Sequence, residues 1–215
     1  MKNEKQELIQ YWTESGIIAA DENIINAFKT IKRENFVLDE YKEQAYDDYP
    51  LPILAGQTIS QPTTVAIMTN LLEPKKNQKI LEIGSGCGYQ AAILGKIVGE
   101  DGKIISIEII AKLAEFARKN LLKENIKNIE VINADGSVGY IRKAPYDRII
   151  ITAGIAEITK KLIRQLKNNG IIVAPVGNNI YCLKMTKIIK KQNNLEKKEF
   201  GTFSFVPMKG KYGFN

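Results

Sequence analysis

The chain has 215 residues, of which 44% are apolar and 26% charged, enough for one sizeable core and too few for two. Sixteen glycines and seven prolines are near average usage and exclude collagen-like or linker-like sequence, and no apolar run approaches the roughly 18 residues of a membrane span. The formal charge of +7 comes mostly from lysine and predicts a solvated basic surface with no nucleic-acid footprint. The absence of histidine excludes Ser-His-Asp and Cys-His hydrolases, zincins and any other mechanism built on imidazole.

The opening Met1-Lys2-Asn3-Glu4-Lys5 lacks the apolar stretch and small-residue cleavage site of a secretory signal, so a cytoplasmic location and no membrane partner are expected. From Gln6 to about Phe36 the pattern is helical. Leu8, Ile9, Tyr11 and Trp12 share a face, Gly16 breaks the run, and Asp21 can cap a second helix carrying Ile24, Ile25, Phe28 and Ile31. Residues 39 to 58 show no clear period and read as a long irregular loop of functional interest. Its Asp47 and Asp48 read as solvated acids. Gln61 to Leu72 returns to helix, with Pro62 acceptable in the first turn.

Beyond Pro74, short apolar runs alternate with helical segments. Strands are expected at Lys79 to Ile83, Ile104 to Ile107, Ile129 to Ile132, Ile149 to Thr152 and Ile171 to Val173. Helices are expected at Tyr89 to Val98, Ile109 to Leu122 and Ile158 to Leu166. Five strands separated by helix-length intervals predict an α/β fold with a doubly wound, mostly parallel sheet. After Pro175, Ile180 to Ile189 and Glu196 to Val206 predict a C-terminal antiparallel hairpin. Cys87 and Cys182 are far apart. They suit neither a disulfide framework nor a metal cluster, and no metal is expected.

The segment Ile80-Leu81-Glu82-Ile83-Gly84-Ser85-Gly86-Cys87-Gly88-Tyr89 is a buried strand, three alternate glycines and a helix start. In a doubly wound sheet a ligand sits beyond the carboxyl ends of the strands, where missing Cβ atoms let it approach the backbone. A dinucleotide fingerprint would be GxGxxG, but here the third glycine arrives one residue early. Glu82, two residues before the first glycine, would repel a pyrophosphate and suits a ligand with a cationic portion. S-adenosyl-L-methionine carries an ammonium, a sulfonium and no phosphate. The plainer alternative is a tight turn with an incidental acid. Glu108, about twenty residues after the loop, ends the second strand, where a carboxylate can accept ribose hydroxyls. Asp135 and Gly136 follow the third strand, where an acid can accept from an adenine amino group and glycine leaves room for the ring. Either acid alone could be a solvated turn residue; on successive strand ends they support an adenosine site.

With these residues in place, the chain resembles the protein-L-isoaspartate O-methyltransferase family. The most specific segment is Leu51-Pro52-Ile53 followed by Gly56-Gln57-Thr58-Ile59-Ser60-Gln61-Pro62. Ala134-Asp135-Gly136, Ala144-Pro145-Tyr146-Asp147, Ala174-Pro175-Val176-Gly177 and Phe205-Val206-Pro207 recur in the family in the same order, and Ser15-Gly16-Ile17-Ile18 fits its N-terminal part. The resemblance implies a class I, Rossmann-like S-adenosylmethionine-dependent methyltransferase. It would act on the free α-carboxylate of L-isoaspartyl residues in damaged proteins and peptides, start repair through a succinimide and release S-adenosyl-L-homocysteine. It implies one domain over 1–215, with a helical and substrate-loop part (1–74), a cofactor core (75–177) and C-terminal strands (178–215). Gln57, Thr58, Ile59 and Ser60 would line the cofactor, with Ser60 beside the reacting carboxylate; Glu82, Gly84, Ser85, Gly86, Gly88, Glu108, Asp135 and Gly136 complete the expected site. Ser60 could also cap the helix that starts near Gln61. A monomer is expected.

The chain departs from the family pattern at Leu54-Ala55, before Gly56, at Thr63-Thr64, where many members carry an aromatic residue or histidine, and at Ala153-Gly154-Ile155-Ala156. The other readings are a methyltransferase of another substrate class such as RNA, although no Asn-Pro-Pro-Tyr-like motif follows the fourth strand, and an inactive cofactor-binding relative.

Overall fold

The computed structural model describes residues 2–19, 21–192 and 194–214. Helix α1 (Lys2–Glu14) ends ahead of Gly16, whose φ of +72° admits the chain reversal. Helix α2 (Glu22–Thr30) begins at Asp21, whose side chain accepts the backbone N–H groups of Asn23 and Ile24. The two helices pack through Trp12, edge-on to Phe28 with ring centroids 5.1 Å apart.

The stretch read as irregular has local order too short to produce a periodic pattern. Two 3₁₀ turns (Arg33–Asn35 and Asp39–Gln44) lead to β1 (Leu51–Pro52), which pairs antiparallel with β2 (Thr58–Ile59) around a further turn at Leu54–Gly56. Ala55 holds a left-handed conformation there, φ +58°. Asp48 is not merely solvated. Its carboxylate accepts the Thr63 backbone N–H (2.9 Å) and hydroxyl (2.7 Å) at the first turn of α3 (Pro62–Leu72), and Thr63 Oγ1 in turn accepts the Trp12 indole N–H (2.8 Å). One threonine thus ties the loop, α1 and α3 together.

The remaining strands are β3 (Lys79–Ile83), β4 (Lys103–Glu108), β5 (Ile129–Asn133), β6 (Tyr146–Ile151), β7 (Leu166–Val176), β8 (Leu183–Lys190) and β9 (Leu195–Phe203), with α4 (Tyr89–Val98), α5 (Ala111–Lys123) and α6 (Lys160–Gln165) between them. They form one seven-stranded sheet in the order β5-β4-β3-β6-β7-β8-β9. The first five in that order run parallel, and β8 and β9 add antiparallel. The C-terminal hairpin is therefore an extension of the main sheet, with Ile171 opposite Ile189 and Val176 opposite Lys184. Isoleucines 80, 104, 149, 150, 151 and 172 are fully buried, because helices cover both faces of a parallel sheet. Helix α6 starts later than its apolar pattern suggests: Thr159 takes the N-cap position and accepts the Leu162 N–H. The outermost strand, β9, exposes Glu196, Lys197, Lys198 and Glu199.

Strand order reverses between β3 and β6. The chain steps outward from β3 to β4 and β5, then returns to β6 on the other side. That reversal opens a crevice at the carboxyl ends of the strands, the usual ligand position in such sheets.

Candidate active site

Gly84, Ser85 and Gly86 form the floor of a cleft at this crevice. Gly84 has φ +99°, and a Cβ there would run into the Thr152 hydroxyl, which donates 2.6 Å to the Gly84 carbonyl. The third glycine serves packing. A Cβ on Gly88 would stand 3.3–3.4 Å from Leu121 and Ala117 of α5, so Gly88 seats one helix on another and does not line the cleft.

The facing wall is Gln57, Thr58, Ile59 and Ser60, held by the β1–β2 pairing and by the Ile53 N–H donating 2.8 Å to the Gln57 carbonyl. Ser60 does not cap α3. The N-cap is Gln61, with no side-chain cap bond, and the Ser60 hydroxyl has no hydrogen bond among the described residues. Its capping alternative therefore falls away: Pro62 occupies the first helical position and shifts the cap one residue on. A third wall is Val206 to Lys209, positioned where the Gly154 N–H donates 2.8 Å to the Val206 carbonyl and the Met208 N–H donates 2.9 Å to the Gly154 carbonyl.

Glu108 lies at the end of β4, 7% exposed, on the cleft wall. One carboxylate oxygen accepts the Gly86 N–H (2.9 Å) and the other the Ile110 N–H (3.0 Å). The acid thereby holds both the glycine turn and the turn into α5, and each oxygen keeps a lone-pair direction for a further donor. Gly136 also lines the cleft, and a Cβ there would stand 2.6 Å from Ile83 Cγ2. No larger side chain fits unless Ile83 shifts.

Two expected site acids do not reach the cleft. Glu82 is fully buried beneath the glycine turn, accepting from the Ser106 hydroxyl, with its Oε1 unpartnered. Burial pushes its carboxyl up to about 8; the Ser106 bond and the Ala91 backbone N–H oppose the rise, and nearby Glu108 adds to it. Asp135 faces a neighbouring cleft alongside Tyr140, Arg142 and Arg164. Its carboxylate accepts the backbone N–H groups of Ser137 and Lys211, each at 2.8 Å. Partial burial pushes the Asp135 carboxyl up, but the bonds from Lys211 and Ser137 together outweigh it and hold the group below the ordinary value.

Residues that the sequence did not single out complete the cleft. Tyr89, at the start of α4, and Thr152, at the end of β6, are on its wall. Arg33 braces the tyrosine from behind. It is fully buried, its Nε donates 2.6 Å to the Ala45 carbonyl, and its guanidinium lies 5.1 Å from the Tyr89 ring centre. No local signal marks this pairing, since 56 residues separate the partners. No group of three or more Cys, Asp or Glu side chains that could hold a metal ion occurs among the described residues, and no helix among them is long and apolar enough to cross a membrane.

The sequence profile of the protein-L-isoaspartate(D-aspartate) O-methyltransferase family matches residues 3–213. Protein-L-isoaspartate O-methyltransferase 2 of Archaeoglobus fulgidus is 48% identical over 193 residues, spanning 89% of this chain and 87% of its own length. The protein-L-isoaspartate O-methyltransferase of Methanoculleus marisnigri is 40% identical and spans 99% of this chain and 94% of its own. A solved protein-L-isoaspartate O-methyltransferase superposes with a TM-score of 0.87 at 28% identity, covering 97% of this chain and 67% of the other. A Plasmodium falciparum structure described as a protein-L-isoaspartate O-methyltransferase, in complex with S-adenosyl-L-homocysteine, shares the fold with a TM-score of 0.80 at 24% identity, covering 94% and 97% of the two chains.

Proposed function

The chain belongs to the protein-L-isoaspartate(D-aspartate) O-methyltransferase family, and from that membership we propose which of its residues carry the reaction. The enzyme transfers a methyl group from S-adenosyl-L-methionine to the free α-carboxylate of L-isoaspartyl residues in damaged proteins, leaving S-adenosyl-L-homocysteine; the methyl ester closes to a succinimide that can reopen as normal aspartate. When bound, the cofactor supplies a methyl group already made electrophilic by its sulfonium.

The residues fit that cofactor. Exposed backbone at Gly84 and Gly86 forms the floor, Glu108 offers lone pairs to ribose hydroxyls, and Gly136 keeps open a space that a Cβ would close against Ile83. Ser85, Gln57, Thr58 and Ile59 line the same cleft. Gly88 and Glu82 act from outside it, one by seating α4 on α5 and the other from beneath the floor. Asp135 stands at the far side of Gly136, where it fixes the C-terminal segment through Lys211.

Ser60 is the residue we assign to the substrate. The observation that carries this is a hydroxyl on the wall of the cleft that the glycine turn also lines, with no hydrogen-bond partner among the described residues. A carboxylate with a pKa near 4 is already ionised at pH 7, so no general base is needed and the absence of histidine is no obstacle. What remains is alignment of the reacting oxygen, a contribution on the order of 7 kcal/mol or more. Ser60 would donate to the carboxylate and fix its direction.

We read residues 1–215 as a single domain acting as a cytoplasmic monomer on polypeptide and not on nucleic acid. In support of the last point, Lys209 is the one basic side chain on the cleft wall among the described residues, whereas a nucleic-acid path needs a stripe of them. A paired assay tests the function. Two peptides differing only in an isoaspartyl or aspartyl linkage are incubated with labelled cofactor and scored by base-labile methanol. Methanol from the isoaspartyl peptide alone is expected; labelling of RNA with an inert peptide would refute the reading.

A further inference from the structure

Beneath the glycine turn lies a row of polar groups that methyl transfer itself does not require. Ser85 is on the cleft wall, and its Oγ is 2.5 Å from Ser106 Oγ, a contact in which either atom can be the donor. Ser106 also donates to Glu82 Oε2, and Glu82 is 0% exposed with Oε1 unpartnered. Glu82 is flanked in the sheet by Ser106 of β4 and Ile150 of β6. The ionisable groups facing it are Glu108, from the end of β4, and Cys87, from the turn; α4 presents the Ala91 backbone N–H. Arg33 is set beyond, against Cys87 and Tyr89. No basic side chain among the described residues neutralises Glu82.

Such a row has two polarities. When Glu82 is ionised it can only accept, so Ser106 donates to it, Ser85 donates to Ser106, and Ser85 turns lone pairs toward the cleft. When Glu82 holds a proton the order reverses, and Ser85 presents a hydrogen. The first state favours a cationic ligand and the second disfavours it.

We propose that the Glu82–Ser106–Ser85 row is a proton-linked cation sensor, in which Glu82 releases a proton to solvent as the cationic cofactor binds and regains one when an uncharged ligand takes its place. The inference rests on the cofactor reading above. Burial holds the proton on Glu82 near neutral pH in the unliganded chain. Methyl transfer turns the sulfonium into a thioether and removes one positive charge. Glu82 is therefore a residue that sets the preference for S-adenosyl-L-methionine over S-adenosyl-L-homocysteine without touching either.

Titration calorimetry at pH 7 in two buffers of different ionisation enthalpy counts the protons released, with S-adenosyl-L-methionine, S-adenosyl-L-homocysteine and adenosine as probes. The wild type should release more protons with the methionine cofactor than Glu82→Gln does, fewer with the homocysteine product, and none with adenosine. Wild-type affinity for the methionine cofactor should rise at least about fivefold from pH 6 to pH 8, and Ser106→Ala should flatten that rise while leaving the carboxylate in place. Equal proton counts in wild type and Glu82→Gln would overturn the proposal. So would a carbon-13 titration of the unliganded wild type that finds Glu82 ionising near the ordinary glutamate value, a measurement that needs no variant to fold. Failure of the wild type to bind the methionine cofactor at all would remove the cofactor reading with it, whereas binding without proton release would remove this inference alone.

Discussion

Glu108→Gln isolates the acid that holds the glycine turn to the end of β4. The two oxygens of Glu108 accept one backbone N–H each, from Gly86 at 2.9 Å and from Ile110 at 3.0 Å, in a site with 7% exposure. Glutamine has the same shape but one accepting oxygen. Its amide nitrogen can only donate, so one of the two backbone N–H groups must face another donor. The loss is one hydrogen bond to a charged acceptor, about 1.5–3 kcal/mol, with a buried donor left unsatisfied. Because Gly86 also forms the cleft floor, the cost divides between the unliganded fold and the ligand. Urea denaturation should show the unfolding free energy lowered by about 1–2 kcal/mol, and calorimetry with S-adenosyl-L-homocysteine should show affinity reduced roughly tenfold or more, since about 1.4 kcal/mol is a factor of ten. A variant with unchanged denaturation midpoint and unchanged affinity would refute both the bracing of the turn and the ribose role.

If Ser60 acts on substrate as proposed, Ser60→Ala should lower turnover on an isoaspartyl peptide by at least about tenfold while changing homocysteine-product affinity by less than about threefold; a weaker cofactor complex with normal turnover would place Ser60 on the cofactor instead. Asp48→Ala and Thr63→Val should each cost about 1–2 kcal/mol in chemical denaturation, with a double variant short of their sum, because both remove the bond between the Asp48 carboxylate and the Thr63 hydroxyl, while Asp48→Ala alone frees the Thr63 N–H and Thr63→Val alone frees the Trp12 indole; strict additivity would show that the two residues act separately. The Glu82 carboxyl, raised to about 8 by burial, binds its proton in the folded chain over a range where the unfolded chain has lost it. Stability of the unliganded protein should accordingly fall as pH rises from about 5 to 8, by up to about 1.4 kcal/mol per unit from this group, and Glu82→Gln should remove that slope. Parallel denaturation profiles for wild type and variant would contradict the assignment.

The sheet and the glycine turn were legible because their signals are local. Strand β3 and helix α4 occupy the residues that the apolar run and the flanking glycines define. Strand β6 begins earlier than its isoleucines suggest, because Asp147 and Arg148 interrupt the pattern; Arg148 is buried all the same, its Nε donating 2.8 Å to the Leu72 carbonyl. Strand β7 likewise reaches back over the polar stretch Lys167-Asn168-Asn169, where Asn169 has φ +60°. The residue types at the strand ends were readable, but their directions were not. Both faces of β3 are buried, so nothing in its sequence tells whether Glu82 looks into the cleft or under it. Asp135 is bonded by Lys211, 76 residues away, a contact that no pattern around either residue announces.

The charged outer strand of the sheet has a consequence for the kind of substrate this enzyme meets. A polypeptide with free main-chain groups can add to a bare sheet margin as a further strand. Of the two edge strands, β5 and β9, the second keeps Glu196, Lys197, Lys198 and Glu199 in water, with Lys197 and Glu199 joined at 2.6 Å. An incoming strand would have to strip water from this fringe before gaining its first ladder bond, a barrier that natural sheets use against unwanted growth. Ladder growth along β9 is thereby discouraged.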